Sequence, residues 1–405
     1  MKKIYLLAVA LAGTLLTSCS DFLDKVPLVV PSSETFLTNQ SAVTNYVNGL
    51  YIALPSAGAY GMGIMGEEKN SDNMVAMVYD RRMNGELQES IGGVTEWQKG
   101  YQNLRSVNYF LEYYKVPAAE ETAEVLSLKG EAYFFRAYWH YYLLTKFGSI
   151  PVMDKFWDGN ATVGGLQIPA RDRSAVAQFI LDDLKAAKEL LYSRSKYQGL
   201  RICKEAAMVM AMRVALFEGT WEKYHKGTDF AAAEYKSDDF LQQVLTLGDE
   251  LFQMGITLNT KENDKSVKNI DDAYGNLFNS KDLSATQEVL FWKKYSIADN
   301  LVHSLNTNLS SGMCDAEGPA GLSQSLVDNY LSVDGNFIDP TAAKFKDFNE
   351  SFKDRDGRLL ATVMHSDCKY KSMTVKGAKK MLVKAYSEED KDLSLIHISE
   401  PTRPY

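Results

Sequence analysis

Residues Leu128–Pro151 read LKGEAYFFRAYWHYYLLTKFGSIP, and this stretch decides the fold. Apolar side chains recur in it at spacings of three and four, the period of one helix face: Leu128, Ala132, Phe135, Trp139 and Tyr142. A neighbouring face is aromatic as well, so the helix has to be packed on several sides. Lys146 in the last turn, Gly148 after it and Pro151 beyond mark a helix C-terminus. The sequence therefore predicts a long, buried helix over Glu121–Phe147.

Five further stretches carry a helical period, so the chain is predicted to be mainly α. The six predicted helices are Asn39–Leu54, Val94–Tyr114, Glu121–Phe147, Ser174–Tyr192, Lys204–Trp221 and Asp238–Gln253. Glu131-Ala132 is repeated as Glu205-Ala206, at about twice the roughly 34-residue step of a helical-hairpin repeat. Small residues at such positions let paired helices approach closely. We therefore expect a tetratricopeptide-like layer of helical hairpins, built mainly from residues 39–54 and 94–253.

Long segments rich in Gly and Asn separate the helices, and such long loops are usually functional or disordered. They are Pro55–Gly93, Asp154–Arg173, Asn259–Ala285 and Ser296–Gly321. After about Met254 the chain changes to short runs with turn signals such as Asp334-Gly335. Glu288–Tyr295 alternates in the manner of a strand. Residues 254–392 are therefore predicted to form a loop-rich second half with short helices and strands.

The chain begins with the pattern of a secretory signal: two lysines, an apolar run from Ile4 to Leu16, and Ser18 before Cys19. The run is too short to cross a bilayer core, which needs about 20 residues. A cysteine after a small residue is typical of a bacterial lipoprotein, whose thiol carries a diacylglycerol. We expect residues 1–18 to be a lipoprotein signal peptide, Cys19 the lipid anchor and residues 19–33 a tether. An ordinary signal peptide with an incidental cysteine is the alternative.

Composition and cysteine spacing exclude several classes of protein. The 405 residues carry a formal net charge of −8, so no basic surface is available for nucleic acid. The histidines show no metal-ligand spacing and no Gly-rich phosphate loop opens a helix, so we expect no metal and no cofactor. Apart from Cys19, Cys203, Cys314 and Cys368 have no short spacing that would indicate zinc or a disulfide framework. Cys203 is predicted to be a core residue, and a bridge between Cys314 and Cys368 stays open.

The last residues, Leu393–Tyr405 (LSLIHISEPTRPY), differ abruptly from the charged run before them and show no helical period. We interpret residues 393–405 as a non-native, adapter-derived tail, with a genuine disordered tail as the alternative. On this interpretation the natural protein continues beyond about Asp392, and residues 34–392 are an incomplete domain.

Several motifs in a fixed order resemble the SusD/RagB family of outer-membrane nutrient-binding lipoproteins from Bacteroidetes. The strongest is Leu128–Pro151, with its Glu-Ala and Arg-Ala pairs, its aromatic run and its Phe-Gly-x-x-Pro end. The others are Cys19–Pro27, Ile168–Arg171 before Ala177–Leu190, Ala206–Phe217, Leu326–Tyr330 with Asp334-Gly335, and Phe352–Leu359. The resemblance covers residues 19–365. Family members continue through a further helix, so it implies a C-terminally truncated member.

The resemblance implies a protein that binds nutrient, most often glycan, without catalysis and without a cofactor. It implies a lipid-anchored protein on the outer membrane that delivers its ligand to a TonB-dependent, SusC-like transporter. Within the family, a binder of peptide or another non-glycan nutrient is the alternative.

Sugar binding requires flat aromatic faces together with carboxylates and amides for the hydroxyl groups. In relatives of the family, ligand contacts come from the loop just after the Asp72-Asn73 position and from the region near residues 296–320. The predicted ligand-binding residues are therefore, first, Asp72, Asn73, Tyr79 and Arg81, and next, Trp292 and Tyr295. A buried platform is the alternative for Trp292, and Trp157 could either pack or face ligand. Trp97, Tyr101 and Trp139 are predicted to be core residues.

Two other function classes compete with nutrient binding. Glu67, Glu68 and Asp72 could supply the two carboxyl groups that glycoside hydrolysis needs, about 5 to 10 Å apart. Acidic pairs in loops are usually solvated, however, and no hydrolase signature accompanies this one, so we do not expect an enzyme. The third class is a protein-binding tetratricopeptide scaffold that uses the acidic helical surface.

Overall fold

Helices dominate the computed structural model, which describes part of the chain. The described residues are 36–54, 68, 71–76, 84–86, 95–157, 168–260, 270–280, 282–302, 320–339 and 352–362. Several predictions lie outside them: those for residues 1–18, 19–33 and 393–405, and for Cys19, Cys314 and Cys368.

All six predicted helices are confirmed. They are α1 (Gln40–Leu50), α2 (Thr95–Tyr113), α3 (Ala123–Phe147), α4 (Arg173–Leu190), α5 (Lys204–His225) and α6 (Ser237–Gln253). The predicted bounds differ from the observed ones by four residues at two ends and by no more than two residues at the others. The first helix stops at Leu50 and continues as a short 3-10 turn over Tyr51–Ala53, and α5 runs past Trp221 to His225.

Local side chains explain where these helices begin and end. Asn39, Thr122 and Asp172 precede α1, α3 and α4, and each accepts a hydrogen bond from a first-turn N–H, at 3.1, 3.3 and 3.1 Å. Gly148 ends α3 with φ +70°, a conformation that favours glycine, and its N–H donates to the Leu144 carbonyl at 2.9 Å. Each boundary is therefore encoded within a few residues of the helix itself.

The helices form one layer in which neighbours in sequence pack together: α2 on α3, α3 on α4, α4 on α5 and α5 on α6, with α1 also against α3. The central helix is enclosed as predicted, since Phe135 is fully buried and Trp139 is 2% exposed. Packing of each helix against the next one in sequence is the arrangement of helical hairpins. The mainly α fold with a tetratricopeptide-like helical layer is therefore confirmed.

Small residues permit the close crossings within this layer. A Cβ atom added at Gly100 of α2 would lie 2.5 Å from Leu143 of α3, and one at Gly219 of α5 would lie 2.9 Å from Leu241 of α6. Both distances are shorter than a normal contact between carbon atoms. The two glycines therefore set how closely these helix pairs approach.

Buried charges connect successive helices through bidentate ion pairs. Arg136 of α3 donates to Asp183 of α4 at 2.7 and 2.6 Å, and Arg173 of α4 donates to Glu218 of α5 at 2.7 and 2.9 Å. A buried carboxylate without its partner costs several kcal/mol, roughly 3 to 5 in measured cases. Each pair therefore penalises any helix register that separates its two members.

A third bidentate pair joins α3 to the connection between α4 and α5. Arg201 donates to Glu131 at 2.9 and 2.7 Å and also to Asn48 of α1 at 2.7 Å. The Tyr51 hydroxyl donates to the same glutamate at 2.7 Å and accepts the Ile202 N–H at 3.0 Å. Burial raises the pKa of Tyr51 well above its ordinary value, so this hydroxyl keeps its proton and stays a donor.

Short elements make up the described residues of the second half, as predicted. They are α7 (Ile270–Asn279), α8 (Gln324–Asn329), α9 (Gly357–Thr362) and strand β2 (Ala320–Leu322), which pairs with strand β1 (Met74–Ala76) from the first half. Helix α9 packs on α7.

The strand predicted over Glu288–Tyr295 is wrong. The chain there leaves a turn and runs extended without a strand partner, because its backbone bonds to a loop of the helical layer instead. The Trp292 N–H donates to the Gly199 carbonyl at 2.9 Å, and Gly199 has φ +79°.

The prediction that Cys203 is a core residue is confirmed, since it is 3% exposed. It lies directly before α5, and its thiol donates to the Leu290 carbonyl at 3.4 Å. Burial raises the pKa of this thiol to about 12, which leaves it protonated and unreactive.

His140 of α3 is buried in its neutral form. Its Nε2 accepts the Met153 N–H at 3.1 Å, so its Nδ1 carries the proton and donates to the Arg136 carbonyl at 2.9 Å. Burial, opposed only in part by the bond to the carbonyl, lowers the pKa of this histidine to about 3. Protonation of the folded state would break the bond from Met153.

This histidine should make the protein less stable in mild acid. In the unfolded chain its pKa is about 6.5; the unfolded state therefore binds a proton between that value and the folded pKa of about 3. The contribution of His140 to the free energy of unfolding is present above the unfolded pKa and is lost as the pH falls. The loss is about 2 kcal/mol between pH 7 and pH 5. Urea unfolding across this range should show a smaller decrease for His140→Gln than for the wild type.

The same titration contains its own control. Between pH 9 and pH 8 the histidine is almost entirely neutral in both states, since its unfolded pKa is about 6.5, so the curves of the two proteins should run parallel there. Equal slopes below pH 7 would contradict a buried neutral His140.

Candidate ligand-binding site

A two-stranded antiparallel sheet pairs the residues directly after Asp72 and Asn73 with residues 320–322. In β1 and β2, Met74 lies opposite Leu322 and Ala76 opposite Ala320. Strand β1 follows Asp72 and Asn73 directly, and β2 follows the region near residues 296–320. Segments far apart in sequence are therefore neighbours at this sheet.

The turn before β1 is held by its own polar side chains. Asn73 donates from Nδ2 to the Glu68 carboxylate at 3.1 Å, and its N–H donates to the Ser71 hydroxyl at 3.2 Å. Ser71 in turn donates to the Glu68 carbonyl at 2.7 Å. The Asp72 side chain is exposed. Of the two predicted ligand residues in this turn, Asp72 therefore offers its carboxylate to solvent, while the amide of Asn73 shapes the turn.

Ser323 fastens this turn to α8. Its hydroxyl donates to the Asp72 carbonyl and accepts the Leu326 N–H at 3.1 Å, which makes it the N-cap of the helix. Its N–H donates to the Asn73 carbonyl at 2.9 Å. Both Asp72 and Asn73 are thus held through their carbonyls by one residue, which is 4% exposed.

The other end of α8 is held by Arg355. Its Nη2 donates to the carbonyls of Val327 and Tyr330, the second at 2.8 Å, and it forms a backbone bridge with Ser332. A guanidinium at a helix C-terminus satisfies carbonyls that lack helical partners and complements the helix dipole. The sheet, α8 and the start of α9 are thereby joined into one unit.

Trp292 and Tyr295 lie on a different support, the connection between α4 and α5. The indole N–H of Trp292 donates to the Gln198 carbonyl at 2.9 Å, and its ring lies against Gly199, 3.0 Å from the position of an added Cβ. Trp292 is half-buried, in agreement with a packed platform that keeps part of its surface open. Tyr295 is also half-buried, with the Lys293 ammonium 5.6 Å from its ring centroid.

The predicted site residues thus divide into two described groups and one that is not described. Asp72 and Asn73 lie beside β2 and Ser323. Trp292 and Tyr295 lie instead on the connection between α4 and α5 of the helical layer. Tyr79 and Arg81 lie outside the described residues, as do Tyr60 and Glu67. The roles of all six predicted ligand residues stay predictions.

Sequence reasoning missed Ser323 and Arg355, which position the site without carrying its chemistry. Ser323 could have been found, since a serine just before the apolar pair Leu326-Val327 is an N-cap signal. Arg355 stands in the motif Phe352–Leu359, but its spacing gives no sign that it contacts α8.

Other tryptophans separate into core and surface residues. Trp139 is in the core as predicted. The prediction that Trp97 is a core residue is wrong, since Trp97 is 36% exposed. Its ring centroid is 4.7 Å from that of Tyr101. Tyr101 is half-buried, and its hydroxyl donates to the Pro151 carbonyl at 2.8 Å. The place of Trp97 in the first turn of α2 leaves one side uncovered by α3. Trp157 is half-buried with the Lys155 ammonium 4.9 Å from its ring.

Comparison with known families assigns both halves of the chain. One SusD-like family model, described as "Starch-binding associating with outer membrane", matches residues 21–216, and a second, described as "SusD family", matches residues 279–395. Together they cover more than three quarters of the chain. The chain belongs to the SusD/RagB family.

Individual SusD-like relatives are distant in sequence but similar in fold. A SusD-like protein of Formosa agariphila is 23% identical over 223 residues, which are 51% of this chain and 41% of the relative. A crystal structure of a SusD-like protein from Bacteroides fragilis has a TM-score of 0.58 at 21% identity, over 84% of this chain and 63% of that one.

A second Bacteroides fragilis structure, of a SusD-like carbohydrate binding protein, has a TM-score of 0.61 at 17% identity with the same coverage, 84% and 63%. The chain therefore spans less than two thirds of the length of these SusD-like proteins. No helix among the described residues is long and apolar enough to cross a membrane.

Removing the Ser323 hydroxyl should loosen the turn that holds Asp72. Ser323→Ala loses an N-cap, worth about 1 kcal/mol, together with the bond to the Asp72 carbonyl. We expect faster amide exchange in residues 74–76 and 320–328, measured by hydrogen exchange with mass spectrometry, and unchanged exchange in α3.

Ser332→Ala is the matched control, because among the described residues that hydroxyl accepts only the Asn336 N–H within its own turn, at 3.0 Å. It should leave exchange in residues 74–76 unaltered. Unchanged protection of β1 in Ser323→Ala would show that this residue does not hold the strand.

Proposed function

We propose that the protein is a non-catalytic, cell-surface lipoprotein that binds a glycan and delivers it to a TonB-dependent, SusC-like transporter of the outer membrane. The observation that carries this proposal is the pairing of β1 with β2. In this pairing the turn that carries the exposed carboxylate of Asp72 is joined to residues 320–322, which supports a site shared with the second segment from which ligand contacts are predicted.

The polar and aromatic chemistry of these segments suits a sugar. An exposed carboxylate accepts hydrogen bonds from vicinal hydroxyls, and such charge-assisted bonds are stronger than neutral ones. Aromatic rings cover the apolar face of a pyranose, and Trp292 and Tyr295 are both half-buried, which fixes the rings while leaving surface for contact. The family description and the name of the second Bacteroides fragilis protein point to the same ligand class.

Binding without catalysis is favoured by the state of the acidic residues near β1. A glycosidase acid is typically a carboxyl group in a buried, apolar setting, which raises its pKa towards neutrality. Glu68 and Asp72 are instead exposed, and the Glu68 carboxylate accepts the amide of Asn73. This setting suits a structural and a ligand-binding carboxylate better than an acid–base pair.

Anchoring by lipid and a transporter partner complete the proposal. A diacylated and further acylated Cys19 would supply the two or more acyl chains that stable anchoring requires. Residues 19–33 would then be slack enough for the protein to move over its transporter. Both features derive from the sequence pattern and from membership of the SusD/RagB family.

A SusD-like binder of peptide is the second candidate, because the exposed groups near β1 could also bind backbone amides. Gene neighbours separate the two: a SusC-like transporter gene with glycosidase genes favours glycan, and peptidase genes favour peptide. Calorimetry against a panel of polysaccharides and peptides decides between them.

Loss of the predicted ligand side chains should weaken binding without unfolding the protein. In calorimetry with a glycan from that panel, Asp72→Asn should bind about tenfold more weakly or worse, since a hydrogen bond to a charged group contributes about 1.5 to 3 kcal/mol. Tyr79→Ala should also weaken binding, because it removes a ring that would cover the apolar face of the sugar. The melting temperatures should stay at the wild-type value, because the Asp72 carboxylate is exposed.

Asp229→Asn is the matched control, an exposed aspartate in the turn between α5 and α6. It should bind like the wild type. Tight binding of peptide with no binding of any glycan would replace the proposed ligand class, and a large loss of stability in Tyr79→Ala would assign that ring to the core.

The lipid anchor predicts that a Bacteroidetes host expressing the full-length chain incorporates labelled palmitate into it. Cys19→Ala should abolish the label and release the protein from the membrane fraction, whereas Cys203→Ala should keep both. Label retained in Cys19→Ala would contradict the anchor.

A further inference from the structure

Arg194 lies in the connection between α4 and α5 and reaches a segment about 90 residues away in sequence. Its guanidinium donates to four backbone carbonyls, those of Leu283, Ser284, Thr286 and Val289, at 3.1, 3.0, 2.9 and 2.8 Å. The residue is 8% exposed. Every hydrogen-bond partner of this guanidinium within the described part of the chain is a carbonyl oxygen.

Two consecutive turns present these carbonyls. The Thr286 N–H donates to the Leu283 carbonyl at 3.1 Å, and the Val289 N–H donates to the Thr286 carbonyl at 3.2 Å. Four carbonyl dipoles that point to one place repel each other unless a cation lies there. A guanidinium suits this place because its planar fork carries five N–H donors spread over three nitrogens, whereas the lysine ammonium carries three donors on one nitrogen and cannot reach acceptors from two separate nitrogens.

Arg194 is itself fixed to the helical layer. Its backbone N–H donates to the Glu205 carboxylate at 2.8 Å, and the Ser193 hydroxyl donates to the other oxygen at 2.5 Å. Glu205 lies in the first turn of α5 and is 3% exposed. The four carbonyls are therefore positioned relative to α5, a helix of the layer that packs against both α4 and α6.

Residues 290–292 continue directly from these turns onto the same connection. The Leu290 carbonyl accepts the Cys203 thiol, and the Trp292 N–H and indole N–H donate to the carbonyls of Gly199 and Gln198. Tyr295 follows three residues later, just before a tight turn closed by two bonds between Ser296 and Leu301, at 2.8 and 2.9 Å.

We propose that Arg194 is the positioning residue for the aromatic arm, residues 282–302, and that it sets the place of Trp292 and Tyr295 in the ligand-binding site. Its part in ligand binding rests on the proposed function, while its part in holding the arm does not. The residue touches no ligand; it acts through the carbonyls of the two turns.

The experiment uses Arg194→Lys in the full-length chain, with Arg213→Lys as matched control. Arg213 is an exposed arginine of α5. Hydrogen exchange with mass spectrometry should show the amides of residues 284–292 exchanging about tenfold faster or more in Arg194→Lys, with α3 and α5 unchanged, as expected for local opening. The control should match the wild type throughout.

Ligand affinity then tests the functional part by a double-mutant cycle. With the glycan that the wild type binds, Arg194→Lys and the double change Trp292→Ala/Tyr295→Ala should each reduce affinity. Adding Arg194→Lys to that double change should reduce the affinity no further, because Arg194 acts through these two rings. A residue with only a structural role would lower the melting temperature and add its effect to that of Trp292→Ala/Tyr295→Ala.

The outcomes separate the two claims. Unchanged exchange in residues 284–292 overturns the positioning role, whatever the ligand. Faster exchange with unaltered affinity, or additive effects in the cycle, overturns the role in ligand binding. A wild type that binds neither glycan nor peptide refutes the proposed function and the ligand-binding role together, while faster exchange would still support Arg194 as the residue that holds the arm.

Discussion

The fold depends on one constraint, the enclosure of α3. A helix that is apolar around most of its circumference cannot face water on more than a narrow strip, so it needs neighbours on several sides. Helices α1, α2 and α4 supply them. The cost of exposing a ring such as Trp139 or Phe135 is about 3 kcal/mol or more each, which outweighs any single surface contact of the layer. Helices α5 and α6 then extend the layer outward from this centre.

Apolar packing alone would allow several helix registers with similar contacts. The buried ion pairs reduce the number of registers that are stable. Arg136 with Asp183 and Arg173 with Glu218 each need both bonds of a bidentate pair in a medium from which water is excluded. A shift by one turn, about 5.4 Å, would separate either pair and leave an uncompensated charge. These residues therefore contribute less to net stability than to the choice of one arrangement among several with similar apolar contact.

Local and long-range information explain which features could be predicted. The helices could be predicted from the sequence, because their period and caps lie within the segments themselves. Gly148, for example, ends α3 where the sequence indicates. The site could be predicted only as loops, because β1 and β2 have three residues each and pair across most of the chain. The false strand over Glu288–Tyr295 has the same origin. Its backbone partner, Gly199, is distant in sequence, and no local pattern distinguishes a sheet from a loop as that partner.

The two parts of the candidate site are held mainly by hydrogen bonds, whereas the helical layer is held mainly by apolar packing. Ser323 and Arg194 hold backbone carbonyls in the loops with hydrogen bonds from single side chains, where the layer uses a continuous apolar core. A segment held by a few polar bonds opens locally at much lower cost than a core helix, since each bond contributes only about 1 kcal/mol net. Aromatic rings and carboxylates can then be placed accurately by the rigid layer and still yield to a ligand. Under the proposed function, release of the ligand to a transporter would benefit from this division, because the loops could rearrange while α3 and its neighbours keep their packing.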